Sequence, residues 1–126
     1  MLDTFMSISN KTVQIKHFRN LVAVAFADGY LDEDEEGFLY DKADELELPY
    51  EEVDNIIKNA ESLKFIVPMN IQDREDQLAD IVFMAMIDGD IHEKEYDLCL
   101  SISQKLDLTK SDLDEVIELT KKLWDC

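Results

Sequence analysis

Apolar residues recur at helical spacing through most of the chain, and no stretch shows the sustained alternation of a β-strand. Near the start, Ile15, Phe18, Val22 and Ala25 share one side of a helix predicted over about residues 11–27. Its run LVAVAFA is apolar on every side, which is typical of a helix in the middle of a bundle. Three Gly and two Pro are few breakers for a chain of this length, which favours long helices joined by short turns.

Five further helices follow from the same periodicity, and one short helix precedes them all. The pattern predicts a leading helix near residues 2–8, with Asn10 as the N-cap of the helix over 11–27. The further helices are predicted over about residues 33–47, from Pro49 onwards, and over about 71–87, 93–106 and 110–124. The stretch KFIVPMN, residues 64–70, is predicted to link the two halves of the chain.

The two halves of the chain repeat each other with a constant offset of sixty residues. Residues 18–60 align with residues 78–120 without a gap, and ten of the 43 pairs are identical. The identical pairs are Val22/Val82, Ala25/Ala85, Asp28/Asp88, Gly29/Gly89, Glu33/Glu93, Glu35/Glu95, Leu46/Leu106, Leu48/Leu108, Asp54/Asp114 and Ile57/Ile117. They fall at turns and on one helical stripe, where geometry is most demanding, so we interpret the chain as a tandem repeat.

The predicted fold is therefore all-α, a compact six- to seven-helix bundle built from a tandem duplicated three-helix unit. A chain of 126 residues fits one domain, residues 1–126, with repeat 1 at about 11–62 and repeat 2 at about 71–124. Cys99 falls in an apolar helical stripe and is predicted to be a small core residue. The start lacks the basic and apolar regions of a secretory signal, so we expect a cytoplasmic protein.

Two acidic turns invite comparison with calcium-binding loops of the EF-hand type. The turns read ADGYLDEDEEGF at residues 27–38 and IDGDIHEKEYDL at residues 87–98. Each carries the back half of the EF-hand pattern, but the first and third ligand positions hold apolar residues. These are Val24 and Phe26 in the first copy, and Met84 and Met86 in the second. Apolar side chains cannot coordinate a hard cation, so the turns are not EF-hands.

Helix capping is one interpretation of these turns. A helix ends at Asp28, and Gly29 supplies the left-handed conformation that closes many helices. Asp32 is then spaced as the N-cap of the next helix, with Glu35 three residues later in the capping-box arrangement. In the second copy His92 and Glu95 hold the same two positions, and Thr109 with Asp112 predicts a similar cap for the last helix.

A divalent-cation site is the second interpretation of the same carboxylates. Asp28, Asp32 and Glu35 lie within one short turn and the first helical turn after it, where their carboxylates could converge. Clustered carboxylates repel one another, and a divalent cation would relieve that repulsion. The predicted cofactor is a divalent cation, Ca²⁺ or Mg²⁺, because both take oxygen ligands.

Charge limits the classes of partner. Thirty acidic against twelve basic side chains give a net charge of −18. From Asp28 to Asp54 there are thirteen acidic residues and one Lys, a net charge of −12. Such a polyanion repels nucleic acid and anionic lipid, so neither is an expected direct partner. Its natural attractants are divalent cations and basic protein surfaces.

The two turns, inside a duplicated helical unit, resemble the TerB-like family, which is named for a tellurite-resistance protein. The family pattern is roughly A-D-G-x-[ILV]-x-x-x-E after an apolar helix, occurring twice. ADGYLDEDE matches every fixed position, and IDGDIHEKE matches except that Ile87 replaces the Ala. The resemblance covers about residues 11–124. By position, it implies the candidate metal-binding residues Asp28, Glu35, Asp88 and Glu95.

The resemblance also implies a compact helical fold with an acidic face, a role in tellurite and other stress responses, divalent-metal binding and membership of membrane-associated complexes. Nothing in the residues themselves indicates an enzyme, since no Ser or Cys nucleophile shows a local activating signature. The leading prediction is a non-enzymatic module that binds divalent cations through the two turns and docks on a protein partner, membrane-associated or basic. It predicts neither nucleic-acid binding nor direct membrane insertion.

Two alternatives to this prediction remain open. The first is a metal-independent protein-interaction scaffold, in which the acidic turns are only helix caps. The second is a homodimer formed through exposed apolar residues such as Phe65 or Trp124. A position of Trp124 in the core, closing the last helix, is preferred to its use in a dimer.

Overall fold

The computed structural model describes residues 2–27, 31–87 and 91–124, with the side chains of residues 11–27, 31–87 and 91–123. All regular structure in this part of the chain is helical. The elements are α1 (Leu2–Ala25), α2 (Glu33–Glu45), α3 (Tyr50–Lys58), a 3-10 helix (Ala60–Ser62), α4 (Ile71–Ala85), α5 (Glu93–Lys105) and α6 (Lys110–Trp124). The predicted all-α fold is confirmed, with six α-helices among the described residues.

The predicted leading helix and the Asn10 cap are wrong, because α1 runs without a break from Leu2 to Ala25. The stretch before residue 11 contains neither Pro nor Gly, so nothing in it stops a helix. An Asn inside a helix costs at most about 0.7 kcal/mol relative to Ala, which a continuous helix tolerates. Asn10 therefore lies inside α1 and is not its N-cap.

Helix α2 ends two residues earlier than predicted, in a turn closed by Glu47. The Glu47 N–H donates to the Asp44 carbonyl at 3.0 Å, and the Leu48 N–H donates to the Ala43 carbonyl at 3.0 Å. Glu47 has a left-handed backbone with φ of 58°. This pair of bonds is the Schellman arrangement, which satisfies the last carbonyls of a helix and usually places Gly at the left-handed position.

Helix α5 ends in the same way sixty residues later. The Asp107 N–H donates to the Gln104 carbonyl at 3.1 Å, and the Leu108 N–H donates to the Ser103 carbonyl at 2.8 Å. Asp107 has φ of 60°. In both turns the acidic residue after the helix end has a left-handed backbone, a conformation that Asp tolerates better than Glu.

The chain divides into two compact units, Met1–Ile66 and Val67–Cys126, here called unit 1 and unit 2. In unit 1, α1 packs against α2, α3 and the 3-10 helix, and α2 packs against α3. The buried apolar residues of unit 1 are Phe18, Leu21, Val22, Ala25, Leu39, Ala43, Leu48, Val53, Ile56 and Ala60. Of the four residues predicted to share one side of the first helix, Phe18, Val22 and Ala25 are buried and Ile15 is half-buried.

In unit 2, the helices α4, α5 and α6 pack against one another. Its buried apolar residues are Leu78, Ile81, Val82, Met84, Met86, Cys99, Ile102, Leu106, Leu108, Leu113 and Ile117. Cys99 is 1% exposed, which confirms its predicted place in the core. The Arg74 Nε donates to the Pro68 carbonyl at 2.7 Å, which attaches the segment before α4 to that helix.

Helix boundaries in the two units correspond at the offset seen in the sequence. Helix α1 ends at Ala25 and α4 at Ala85, and α2 and α5 each have 13 residues. The units differ at their last helices, because α3 ends at Lys58 whereas α6 continues to Trp124. The tandem duplication and the single-domain assignment stay interpretations of the sequence. Within the described residues, no helix combines the length and apolar character that a membrane span requires.

Candidate functional site

The first acidic turn leads into a reciprocal capping box at the start of α2. The Glu35 N–H donates to Asp32 Oδ1 at 2.8 Å, and the Asp32 N–H donates to Glu35 Oε1 at 3.2 Å. Asp32 has the extended backbone of an N-cap residue, with φ −82° and ψ 170°. Both carboxylates are therefore bonded to main-chain donors that the helix itself leaves without partners. The predicted capping role of these two residues is confirmed.

The second acidic turn leads into the equivalent start of α5. The His92 N–H donates to Glu95 Oε1 at 3.2 Å, and His92 Nε2 lies 4.0 Å from the same oxygen. The capping box predicted for α6 is also present. The Asp112 N–H donates to Thr109 Oγ1 at 3.1 Å, and the Thr109 N–H donates to Asp112 Oδ2 at 2.8 Å.

The five predicted metal-binding residues divide into two sets. Asp28 and Asp88 lie outside the described residues, as do Gly29 and Gly89, so their predicted roles stay predictions. Asp32 and Glu35 lie together at the start of α2, and Glu95 lies beside His92 at the start of α5. Among the described residues, no three His, Cys, Asp or Glu side chains form a group suited to a metal ion. Ca²⁺ or Mg²⁺ binding at the turns also stays a prediction.

Exposed carboxylates cover helices α2 and α3 of unit 1 and the turns beside them. We call this region the acidic surface, and its exposed members are Asp32, Glu33, Asp34, Glu36, Asp41, Asp44, Glu45, Glu47 and Glu51. The corresponding segment of unit 2, residues 88–114, has eight acidic residues and three Lys, a net charge of −5 against −12 for residues 28–54. The acidic surface is thus a property of unit 1 rather than a feature of both repeats.

Two tyrosines stack on each other within this surface. The rings of Tyr40 on α2 and Tyr50 on α3 have centroids 6.0 Å apart and planes inclined by 20°. Tyr50 is 70% exposed. Partial burial, followed by the charges of Tyr50, Asp54 and Glu36, raises the pKa of the Tyr40 hydroxyl. The pair therefore lies in a region of negative potential.

Unit 2 has a lysine at the position equivalent to Tyr50. Lys110 Nζ lies 3.0 Å from Asp114 Oδ2 and 5.9 Å from the centroid of the Tyr96 ring. The Tyr96 hydroxyl donates to Asp114 Oδ1 at 2.7 Å. This hydrogen bond, followed by the one from Lys110, lowers the pKa of the Asp114 carboxyl. Here the chain's own ammonium is held between an aromatic ring and a carboxylate.

The tyrosine pair was not among the sites predicted from the sequence. Tyr40 and Tyr50 are ten residues apart on different helices, so their contact depends on how α2 packs against α3. The repeat alignment contains a partial signal, since it sets Tyr50 opposite Lys110 and Asp54 opposite Asp114. At this position unit 1 has an aromatic residue and unit 2 has a lysine, while the neighbouring Asp is the same in both. This difference indicates that the surface position has a different role in each copy.

The remaining predicted residues are only partly described. Phe65, proposed for a homodimer, is half-buried, and the side chain of Trp124 lies outside the described residues. Burial, followed by the charge of Glu95, raises the pKa of the Cys99 thiol to about 12. Cys99 is therefore a protonated core thiol at neutral pH rather than a reactive nucleophile.

Comparison with known proteins gives no further assignment. No protein-family model, curated protein or solved structure matches this chain. The resemblance to the TerB-like family therefore rests on the sequence motifs alone and stays a prediction.

Proposed function

We propose that the chain is a non-enzymatic interaction module whose acidic surface docks on a basic region of a partner protein. The observation that carries this proposal is the concentration of exposed carboxylates on α2 and α3 of unit 1. Charges of one sign on one face raise the association rate of an oppositely charged partner and favour its correct orientation. Solubility alone would require no such concentration in one repeat.

Matched charge variants test whether the location of the charge matters. The first variant carries Glu33→Gln, Asp41→Asn and Glu51→Gln in unit 1. The second carries Glu93→Gln, Asp97→Asn and Glu115→Gln in unit 2. All six residues are exposed, and both variants lose three negative charges. Binding to a basic probe protein, measured at low and at physiological salt, should weaken strongly for the first variant and little for the second. Equal weakening would mean that net charge alone attracts the probe.

Divalent-cation binding at the turns is the second candidate function. Six carboxylates in residues 28–36 support it, together with the TerB-like motif. The capping box opposes it in part, because Asp32 and Glu35 already accept main-chain N–H groups. A carboxylate has further lone pairs, so capping and cation binding are compatible. On this proposal the bound cation occupies the first turn and leaves the rest of the acidic surface available to the partner.

Thermal unfolding with chelator, and then with Ca²⁺, Mg²⁺, Mn²⁺ or Zn²⁺ in turn, tests the second candidate. A cation that binds only the folded chain adds about 2.7 kcal/mol of stability at a hundredfold excess over its dissociation constant. A selective shift at physiological salt that is lost in the Asp28→Asn, Asp32→Asn, Glu35→Gln variant supports a site. Equal small shifts from every cation, lost at physiological salt, mean screening of the acidic surface.

The stress-response role implied by the TerB-like resemblance is proposed only as a context for this docking. A membrane-associated partner fits the proposal if its exposed domain presents basic residues, since the module itself would contact that domain and not the lipid. The proposed docking does not depend on tellurite chemistry.

A further inference from the structure

The stacked tyrosines on the acidic surface combine two features that cations recognise. An aromatic face attracts an ammonium or guanidinium group within about 6 Å of the ring centroid. The Tyr50 ring is 70% exposed while it stacks on Tyr40, so it is accessible to a group from another molecule. Burial, and after it the charges of Tyr50, Asp54 and Glu36, raise the pKa of the Tyr40 hydroxyl, so both carboxylates add negative potential at this pair.

Unit 2 contains a related but not identical arrangement, because Tyr96 aligns with Glu36 and not with Tyr40. Lys110 stands where Tyr50 stands in unit 1, and its ammonium contacts both the Tyr96 ring and the Asp114 carboxylate. Asp114 is the counterpart of Asp54. Unit 2 therefore holds a lysine ammonium near both a tyrosine ring and a carboxylate, whereas unit 1 has the Tyr50 ring at the lysine position and pairs Asp54 with Lys58.

We propose that an arginine side chain of the basic partner binds at the Tyr40–Tyr50 pair, with its guanidinium against the exposed Tyr50 ring and its donors directed toward Asp54 and Glu36. This inference rests on the proposed docking function and names the residue type that anchors it. It assigns the occupant as a basic peptide segment of another protein.

Arginine fits this position better than lysine. Its planar guanidinium is weakly hydrated, stacks on aromatic faces and presents donors in a fork that matches a carboxylate. A lysine ammonium is strongly hydrated and acts as a point charge, so it gains less from an exposed ring. The proposed anchor should therefore distinguish two peptides of equal charge, which the acidic surface alone would not do.

Lys58 occupies part of the same neighbourhood and should compete with the arginine. Its Nζ lies 3.0 Å from Asp54 Oδ2, and its side chain is 73% exposed. Its positive charge also opposes the negative potential at the Tyr40 hydroxyl. Removal of this ammonium should make the Asp54 carboxylate available to the guanidinium of the partner and so strengthen arginine binding.

Calorimetric titration of the full chain with an Arg-Gly repeat peptide and a Lys-Gly repeat peptide of equal length tests the anchor. We expect the arginine peptide to bind about threefold more tightly than the lysine peptide. Tyr50→Leu should remove most of this difference, and Tyr50→Phe should keep it because the ring remains. Tyr96→Leu removes a ring from unit 2 and is the matched control, for which the arginine preference should be unchanged.

A gain of affinity gives a second, independent measurement. Lys58→Met should strengthen binding of the arginine peptide by about twofold beyond the effect of Lys64→Met, which makes the same charge change on another exposed lysine of unit 1. Equal binding of the two peptides, with no effect of Tyr50→Leu, would overturn the arginine anchor while the docking proposal stood. Failure of both peptides to bind at low salt would contradict the anchor and the docking proposal together.

Discussion

The Asn20 side chain holds the main chain of Ile66 by two hydrogen bonds. Asn20 Nδ2 donates to the Ile66 carbonyl at 2.6 Å, and the Ile66 N–H donates to Asn20 Oδ1 at 2.8 Å. Asn20 is 1% exposed on α1, and Ile66 lies 46 residues later in the non-helical segment after the 3-10 helix. The buried Asn20 amide thus supplies the hydrogen-bond partners that a strand or helix would otherwise give this segment. It joins α1 to the last residue of unit 1.

Replacement of Asn20 by Ala should destabilise the chain by about 2–3 kcal/mol, because it leaves a donor and an acceptor of the main chain without their partner. Urea unfolding measures the free energy, and hydrogen exchange should show faster exchange of the Ile66 amide. Asn59→Ala is the control, because the exposed Asn59 side-chain amide donates to the Asn55 carbonyl at the end of α3. This substitution should lower the free energy of unfolding by less than about 0.5 kcal/mol. Equal losses from both variants would show that the closure of unit 1 does not depend on Asn20.

Replacement of Asp32 by Ala should cost about 1 kcal/mol in chelator, because the cap stabilises α2 without any cation. Asp32→Asn should be nearly neutral, since the amide oxygen also accepts the Glu35 N–H. Asp34→Ala, in the same exposed first turn, loses only a favourable charge at the helix N-terminus and should cost less. If Asp32→Ala has no effect in chelator and destabilises only with a cation present, the carboxylate acts as a ligand and not as a cap.

Replacement of Glu47 by Gly should stabilise the chain by about 0.5–1 kcal/mol. Glu47 adopts φ of 58°, and relief of its left-handed strain outweighs the entropy that Gly gains in the unfolded chain. Chemical denaturation of Asp41→Gly provides the contrast, because Asp41 is an exposed residue inside α2 and its exchange should lower stability, by about 0.3 kcal/mol. A loss of stability for Glu47→Gly would mean that the Glu47 side chain makes a contribution larger than the strain.

The Asp114 carboxyl should titrate below its ordinary pKa of 3.8, because the Tyr96 hydroxyl and then Lys110 stabilise its charged form. The folded state then binds the proton less readily than the unfolded state, so the contribution of Asp114 to stability is complete above its unfolded pKa and is lost as the pH falls through the folded value. Tyr96→Phe should move the pKa measured by carbon-13 NMR back toward 3.8. An unchanged pKa in that variant would assign the shift to Lys110.

Local patterns in the sequence predicted the caps and the core well, because both depend on neighbours a few residues apart. The start of α6 follows from Thr109 and Asp112, and the burial of Cys99 follows from its apolar stripe. The end of α2 was predicted less well, since Glu47 takes a left-handed conformation that its residue type does not signal.

The candidate site was predicted only as a region of high charge. The tyrosine pair and the Asn20–Ile66 closure join residues that packing brings together over ten and 46 positions of sequence. Periodicity can place such side chains on the correct face of a helix, but it does not show which residues of another element they meet. The repeat alignment gave the best indication of the tyrosine site, because it set Tyr50 opposite Lys110.

The most direct test of the docking proposal is an NMR titration of the nitrogen-15-labelled chain with the Arg-Gly repeat peptide at physiological salt. The acidic surface predicts amide shift changes concentrated in residues 33–58, largest around Tyr40 and Tyr50, with few changes in the corresponding residues 93–118. Changes spread equally over both units, or centred on the exposed apolar residues Val67, Met69 and Ile71, would contradict it.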